Sequence, residues 1–151
     1  MNLWQLAATF FYLGKIPFAP GSFGSLCILL IWFFLPLSFS LQLIIIIFFF
    51  TLGVISSKKV SIEMNNHDPA EIVIDEAVGM GISLFMLPHN FTLFILAFIL
   101  FRIFDIFKPS FIYQIQNISG GWGIMLDDVL AGIITLTICH GIHSFLWKHV
   151  S

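Results

Sequence analysis

Long apolar stretches follow one another along this chain with only brief polar breaks, at residues 26–37, 41–55, 72–87, 91–107 and 129–147. Few environments tolerate that pattern. Of 151 residues, 59% are hydrophobic and only 9% charged, with a mean hydropathy of +1.04. A soluble domain carries about 25% charged residues. Folded in water, this chain exposes more apolar surface than a soluble domain of its size tolerates. Lipid is the solvent it fits. An unpaired strand cannot lie in hydrocarbon, and the runs lack period-two alternation. The expectation is all-α: a polytopic membrane helical bundle of about four or five membrane-embedded helices in a single domain, residues 1–151.

Several of the stretches fall short of the roughly 20 helical residues that cross a bilayer, so local thinning or partial insertion is expected for some. Residues 3–13 are shorter still and read as an N-terminal interfacial helix. Residues 14–25, GKIPFAPGSFGS, form a loop rich in turn formers. Two cysteines, Cys27 and Cys139, lie far apart in apolar runs and read as small core residues. The net charge of −2 and the lack of a basic run give no nucleic-acid surface.

Tracing the crossings brings the chain repeatedly to one face. The loop at 14–25, Lys58 and Lys59, the start of 72–87 and the end of 91–107 all arrive there. That face holds Lys15, Lys58, Lys59, Arg102 and Lys108, against Lys148 on the other. The positive-inside rule makes it cytoplasmic.

The acidic residues reach the same face. Asp75 and Glu76 open an apolar helix, after Asp68 and Glu71. Read blandly, they complement the positive end of the helix dipole. Arg102 and Asp105 are three apart and share a helix face, either as a boundary ion pair or as a site. Lys108 extends that stripe, offering cations to phosphate oxygens. Asp127 and Asp128 follow Gly120-Gly121-Trp122-Gly123, read as a glycine turn entering a helix. Paired carboxylates on an apolar helix invite Mg²⁺, a hard cation that prefers oxygen ligands. His140 and His143 read as packing or interface residues. So many carboxylates in a partly desolvated place repel one another, and a divalent ion relieves this. The combination suits phosphoryl chemistry at a membrane surface.

These residues carry a resemblance. PFAPGSFGSL from Pro17, HDPAEIVIDEAVG from His67, FRIFDIFKP from Phe101 and GGWGIMLDDVLAG from Gly120 agree in order and spacing with the phosphatidylglycerophosphatase A family of bacterial lipid phosphatases. The resemblance implies a Mg²⁺-dependent hydrolase of phosphatidylglycerophosphate in the bacterial inner membrane, multi-pass, with its site facing the cytoplasm, ahead of cardiolipin synthesis. It implies Asp75, Glu76, Asp127 and Asp128 as metal ligands with Asp105 a further one. It places Arg102 and Lys108 on the phosphate, and Ser22 and Ser25 at the substrate. The chain departs from the family at Lys15, usually a small residue, and at Ser22, usually Thr. It also departs at Phe111, usually a second proline, and at 114–117, which lack a customary acid–base pair. The expected partner is a phospholipid substrate. Rival readings are a phosphatase for another phosphorylated lipid, a small cation-transporter subunit and an assembly scaffold.

Overall fold

Short polar side chains start three of the helices. Asn2, Ser38 and Asn90 each hold extended backbone and accept a hydrogen bond from the N–H three residues on. A computed structural model describes residues 2–108, 112, 115, 118 and 120–150, without the side chains of 147–150. Its helices are α1 (Leu3–Ala8), α2 (Pro20–Phe34), α3 (Phe39–Glu63), α4 (Ile74–Ser83), α5 (Phe91–Phe107) and α6 (Gly121–Val150), with a 3₁₀ turn at Leu13–Lys15. No strand occurs among the described residues, as expected. Phe111, most of residues 114–117, and the side chain of Lys148 lie outside the described residues.

Among the described residues, two helices are long and apolar enough to cross a membrane: Phe39–Glu63, with a mean hydropathy of 2.4, and Gly121–Leu146, with 1.7. Only 17% and 22% of their most apolar windows are buried, so neither is the enclosed core helix of a soluble protein. Phe34, Ile44, Phe48, Phe91 and Phe145 all point outward. Apolar residues thus cover both the interior and the exterior, as a lipid-facing bundle requires.

Boundaries differ from expectation in several places. Residues 20–25 of the expected loop are the first turns of α2, which opens on Pro20, where a helix needs no N–H, and α3 runs on to Glu63, past the expected end at 55. The N-terminal helix stops at Ala8, and Phe10, Phe11 and Tyr12 then adopt left-handed backbone as the chain reverses. The expected helix over 72–87 is regular only to Ser83. Its continuation is a turn with Met86 at φ 54, whose N–H donates to Gln42 Oε1 of α3 at 2.8 Å. His140 of α6 reaches the same turn, 3.1 Å from the Phe85 carbonyl, which gives it a packing role. Lastly, α6 begins at Gly121, so Gly121-Trp122-Gly123 belongs to its first turn, Gly120 just before it turns the chain at φ 78, and Asp127 and Asp128 lie inside the helix. Cys27 and Cys139 are free thiols.

The core is built on Trp32, Ile74, Met80, Leu84, Phe94, Phe101, Ile124 and Met125. The short α4 lies at its centre, packed chiefly against α6 and also touching α2, α3 and α5. Two glycines close the α4–α6 seam. A Cβ on Gly132 would meet the Gly79 carbonyl oxygen at 2.5 Å, and one on Gly79 would meet the Asp128 carbonyl oxygen at 2.7 Å. Backbone cannot yield as a side-chain tip can. Gly132→Val is expected to destabilise the protein by about 1–3 kcal/mol, read as a lower midpoint of thermal unfolding in detergent. An unchanged midpoint would show that the helices part freely.

Candidate active site

The seam positions the acids. Gly79 lies one helical turn after Asp75, and Gly132 one turn after Asp128. Where the backbones touch, the carboxylates one turn above are drawn together. Asp75, Glu76 and Asp128 each offer an oxygen, and these oxygens lie within 4.8 Å of one another. Asp75 and Asp128 are buried, at 8% and 2% exposure.

Two cations flank the group, each fixed by its own acid. Arg102 Nη1 lies 2.6 Å from Asp105 Oδ2, one turn on in α5, and 3.9 Å from Glu76 Oε1. Lys108, which ends α5, donates from Nζ to Asp127 Oδ2 at 2.5 Å. The other Asp127 oxygen accepts the Asp128 N–H at 3.0 Å. Burial alone would pull the Lys108 ammonium down. The hydrogen bond and charge of Asp127, with Asp128 and Asp105 behind, outweigh it and hold Lys108 above the ordinary lysine value. Lys108 therefore stays charged at neutral pH. The stability it lends is present below the ordinary lysine value and is lost only as pH rises through the raised one.

All of these groups but Asp127 line one cleft of about 300 Å³, with Ala19, Pro20 and Gly21 of the α2 entrance and Asp68, Pro69, Ala70 and Ile72 before α4. Gly21 has no room for a side chain. A Cβ there would sit 1.9 Å from Glu76 Oε1 and 3.2 Å from Arg102 Nη1.

Of the expected site residues, Asp75, Glu76, Arg102, Asp105, Lys108 and Asp128 border this cleft. Asp127 stands behind Lys108. The expected ligand set divides: three carboxylates form the close group, while Asp105 and Asp127 are each taken by a cation. Ser22 and Ser25 are not among the described lining residues. Ser25 is fully buried, and its hydroxyl donates to the Gly21 carbonyl at 2.9 Å. Asp68 and Gly21 line the cleft without having been singled out as site residues. Asp68 was visible as the first of the acidic run. Gly21 was visible only as one glycine in a turn-rich loop.

The cluster passes a test for a hard divalent ion. Asp75 Oδ1, Glu76 Oε2 and Asp128 Oδ2 are buried with no hydrogen-bond partner among the described residues. Buried anionic oxygens are rarely left so, and an all-oxygen donor set is what Mg²⁺ takes. Arg102 Nε is also buried without a partner among the described residues, a donor suited to an anion.

Carboxylates gathered beside a held arginine and lysine handle phosphate esters, and this apolar bundle puts them within reach of a lipid: the class is that of lipid phosphatases. Similarity to known proteins narrows it. The family profile described as PgpA, Phosphatidylglycerophosphatase A, matches residues 6–143. The phosphatidylglycerophosphatase A of Escherichia coli K12 is 37% identical over 142 residues, 92% of this chain and 83% of that protein. Its namesake in Haemophilus influenzae is 39% identical over 150 residues, 97% of this chain and 92% of that protein. A Bacteroides thetaiotaomicron protein provisionally named a phosphatidylinositol-3-phosphatase is 38% identical over 143 residues, 88% of this chain and 89% of that protein. No solved structure gives a significant match. The chain belongs to the phosphatidylglycerophosphatase A family. It is therefore an enzyme, a phosphatase, and the transporter and scaffold readings fall away.

Proposed function

We propose that this enzyme hydrolyses phosphatidylglycerophosphate to phosphatidylglycerol and phosphate, using Mg²⁺ held by Asp75, Glu76 and Asp128. The observation that carries the metal assignment is the trio of close carboxylates, Asp75, Glu76 and Asp128, each with one buried oxygen that has no hydrogen-bond partner among the described residues. The substrate follows the names of the Escherichia coli and Haemophilus influenzae relatives. A divalent ion bound there supplies Lewis acidity toward the phosphoryl oxygens.

The protein's own groups do the rest. Arg102 donates to phosphoryl oxygens from Nε and the guanidinium edge left free by Asp105. Asp105 is a positioning residue, keeping the guanidinium plane turned into the cleft. Lys108, steadied by Asp127, offsets charge that grows on the same oxygens. We place the enzyme in the bacterial inner membrane as a multi-pass protein, with α2, α3, α5 and α6 embedded and α4 a partial insertion. The cationic ends near Lys15, Lys58, Lys59 and Lys108 favour a cytoplasmic site.

The test is phosphate release from phosphatidylglycerophosphate by purified protein in detergent micelles. Release is expected with Mg²⁺, at least about 100-fold less after chelation, and restored on adding Mg²⁺ back. Undiminished release in excess chelator removes the metal assignment. The Bacteroides relative favours a second reading, a phosphorylated inositol lipid. Faster release from phosphatidylinositol 3-phosphate would decide for it.

A further inference from the structure

A second cleft opens beside the acid cluster. It measures about 400 Å³ and is lined by Gly14, Lys15, Ile16, Pro17, Pro20, Ala70 and Glu71. Pro20 and Ala70 also line the acid cleft, so the two share a wall. The second cleft holds a cation, Lys15, whose Nζ lies 3.4 Å from Glu71 Oε2.

That pair is open to ligand. Its side chains are 49% and 40% exposed, and an exposed pair of this kind contributes little stability. A phosphate oxygen that reaches Lys15 displaces Glu71 at small cost. Phe18, between the lining segments of the two clefts, is 78% exposed. A bare aromatic ring there suits a ligand with acyl chains better than a soluble one.

The proposed substrate presents two phosphates. Its terminal monoester is the one removed. Its diester joins the headgroup glycerol to the diacylglycerol and keeps one negative charge. Arg102 and Lys108 of the acid cleft are assigned to the monoester, which leaves the diester to a cation outside that cleft. The geometry points to a subsite in the second cleft where Lys15 binds the diester phosphate while the monoester occupies the acid cluster. This rests on the proposed function and deepens it: the enzyme selects lipids with a monoester and a diester on one headgroup. No bond changes at the subsite. Lys15 sets specificity, and the acid cluster carries the reaction.

The experiment compares phosphatidylglycerophosphate with phosphatidic acid, which has a monoester and no diester. Phosphate release is measured in mixed micelles for wild type, Lys15→Ala, Lys15→Arg and Lys59→Ala. Lys59 stacks on the Trp4 ring at 3.6 Å and lies outside both clefts, so it controls for lost positive charge. Lys15→Ala is expected to lower the kcat/KM ratio of the first lipid over the second by about tenfold, chiefly through KM. Lys15→Arg should restore most of the ratio, and Lys59→Ala should leave it as in wild type. An unchanged ratio in Lys15→Ala overturns the subsite. So does an equal drop on both lipids, or an equal drop with Lys59→Ala. A wild-type enzyme that releases phosphate from neither lipid removes the proposed function itself, and the subsite with it.

Discussion

Asp128→Asn is expected to lower Mg²⁺-dependent phosphate release by about 10³-fold while the protein still folds. Asp75→Asn should do the same. Each swap keeps the side chain's shape and removes one charge from a group whose oxygens lie within 4.8 Å. Without metal, that relieves repulsion, so unfolding in chelator should occur at an equal or higher temperature than in wild type. With Mg²⁺ the order reverses. The wild type gains stability by mass action, and the variants gain little. Thermal unfolding in detergent with and without Mg²⁺, beside the phosphate assay, separates a lost ligand from a damaged fold. Full activity in either variant would refute the ligand assignment.

The second large effect falls on a residue with no functional group. Gly21→Ala should reduce turnover by about 100-fold, because misplacing a reacting constellation by an ångström costs that much. The added methyl lands 1.9 Å from Glu76 Oε1, so either the carboxylate turns away or the start of α2 backs off. Either movement also disturbs Arg102. A matched control is Gly141→Ala, where a methyl meets nothing within 4 Å and activity should be that of wild type. Equal turnover in both variants would mean that Glu76 has slack.

The class of fold was legible because one physical demand dominates this composition: apolar helices need an apolar surrounding. Local chemistry was legible too. Arg102 and Asp105, three apart on α5, pair as their spacing implies. The start of α2 at Pro20 is a local miss, because a proline at the first helical position was mistaken for loop. Other misses involve partners distant in sequence. α4 ends early because Gln42, on another helix, caps the turn at Met86. The GGWG stretch looked like a turn, yet its glycines let α6 begin against the α3 backbone at Val54. Paired acids at Asp127-Asp128 looked equivalent, and the arrival of Lys108 separates them: Asp127 is engaged by a cation, while Asp128 keeps one oxygen with no hydrogen-bond partner among the described residues. Helical spacing carries no information on which neighbour comes from elsewhere in the chain.

The contact between Gly79 and Gly132 bears on ion choice. Two main chains this close leave no side chain between them to yield, which narrows the range of separations open to α4 and α6 one turn from their carboxylates. On the proposed reading, such a jaw favours a small, strongly hydrated ion over a wide one, since it resists dilation to the longer oxygen distances that Ca²⁺ demands.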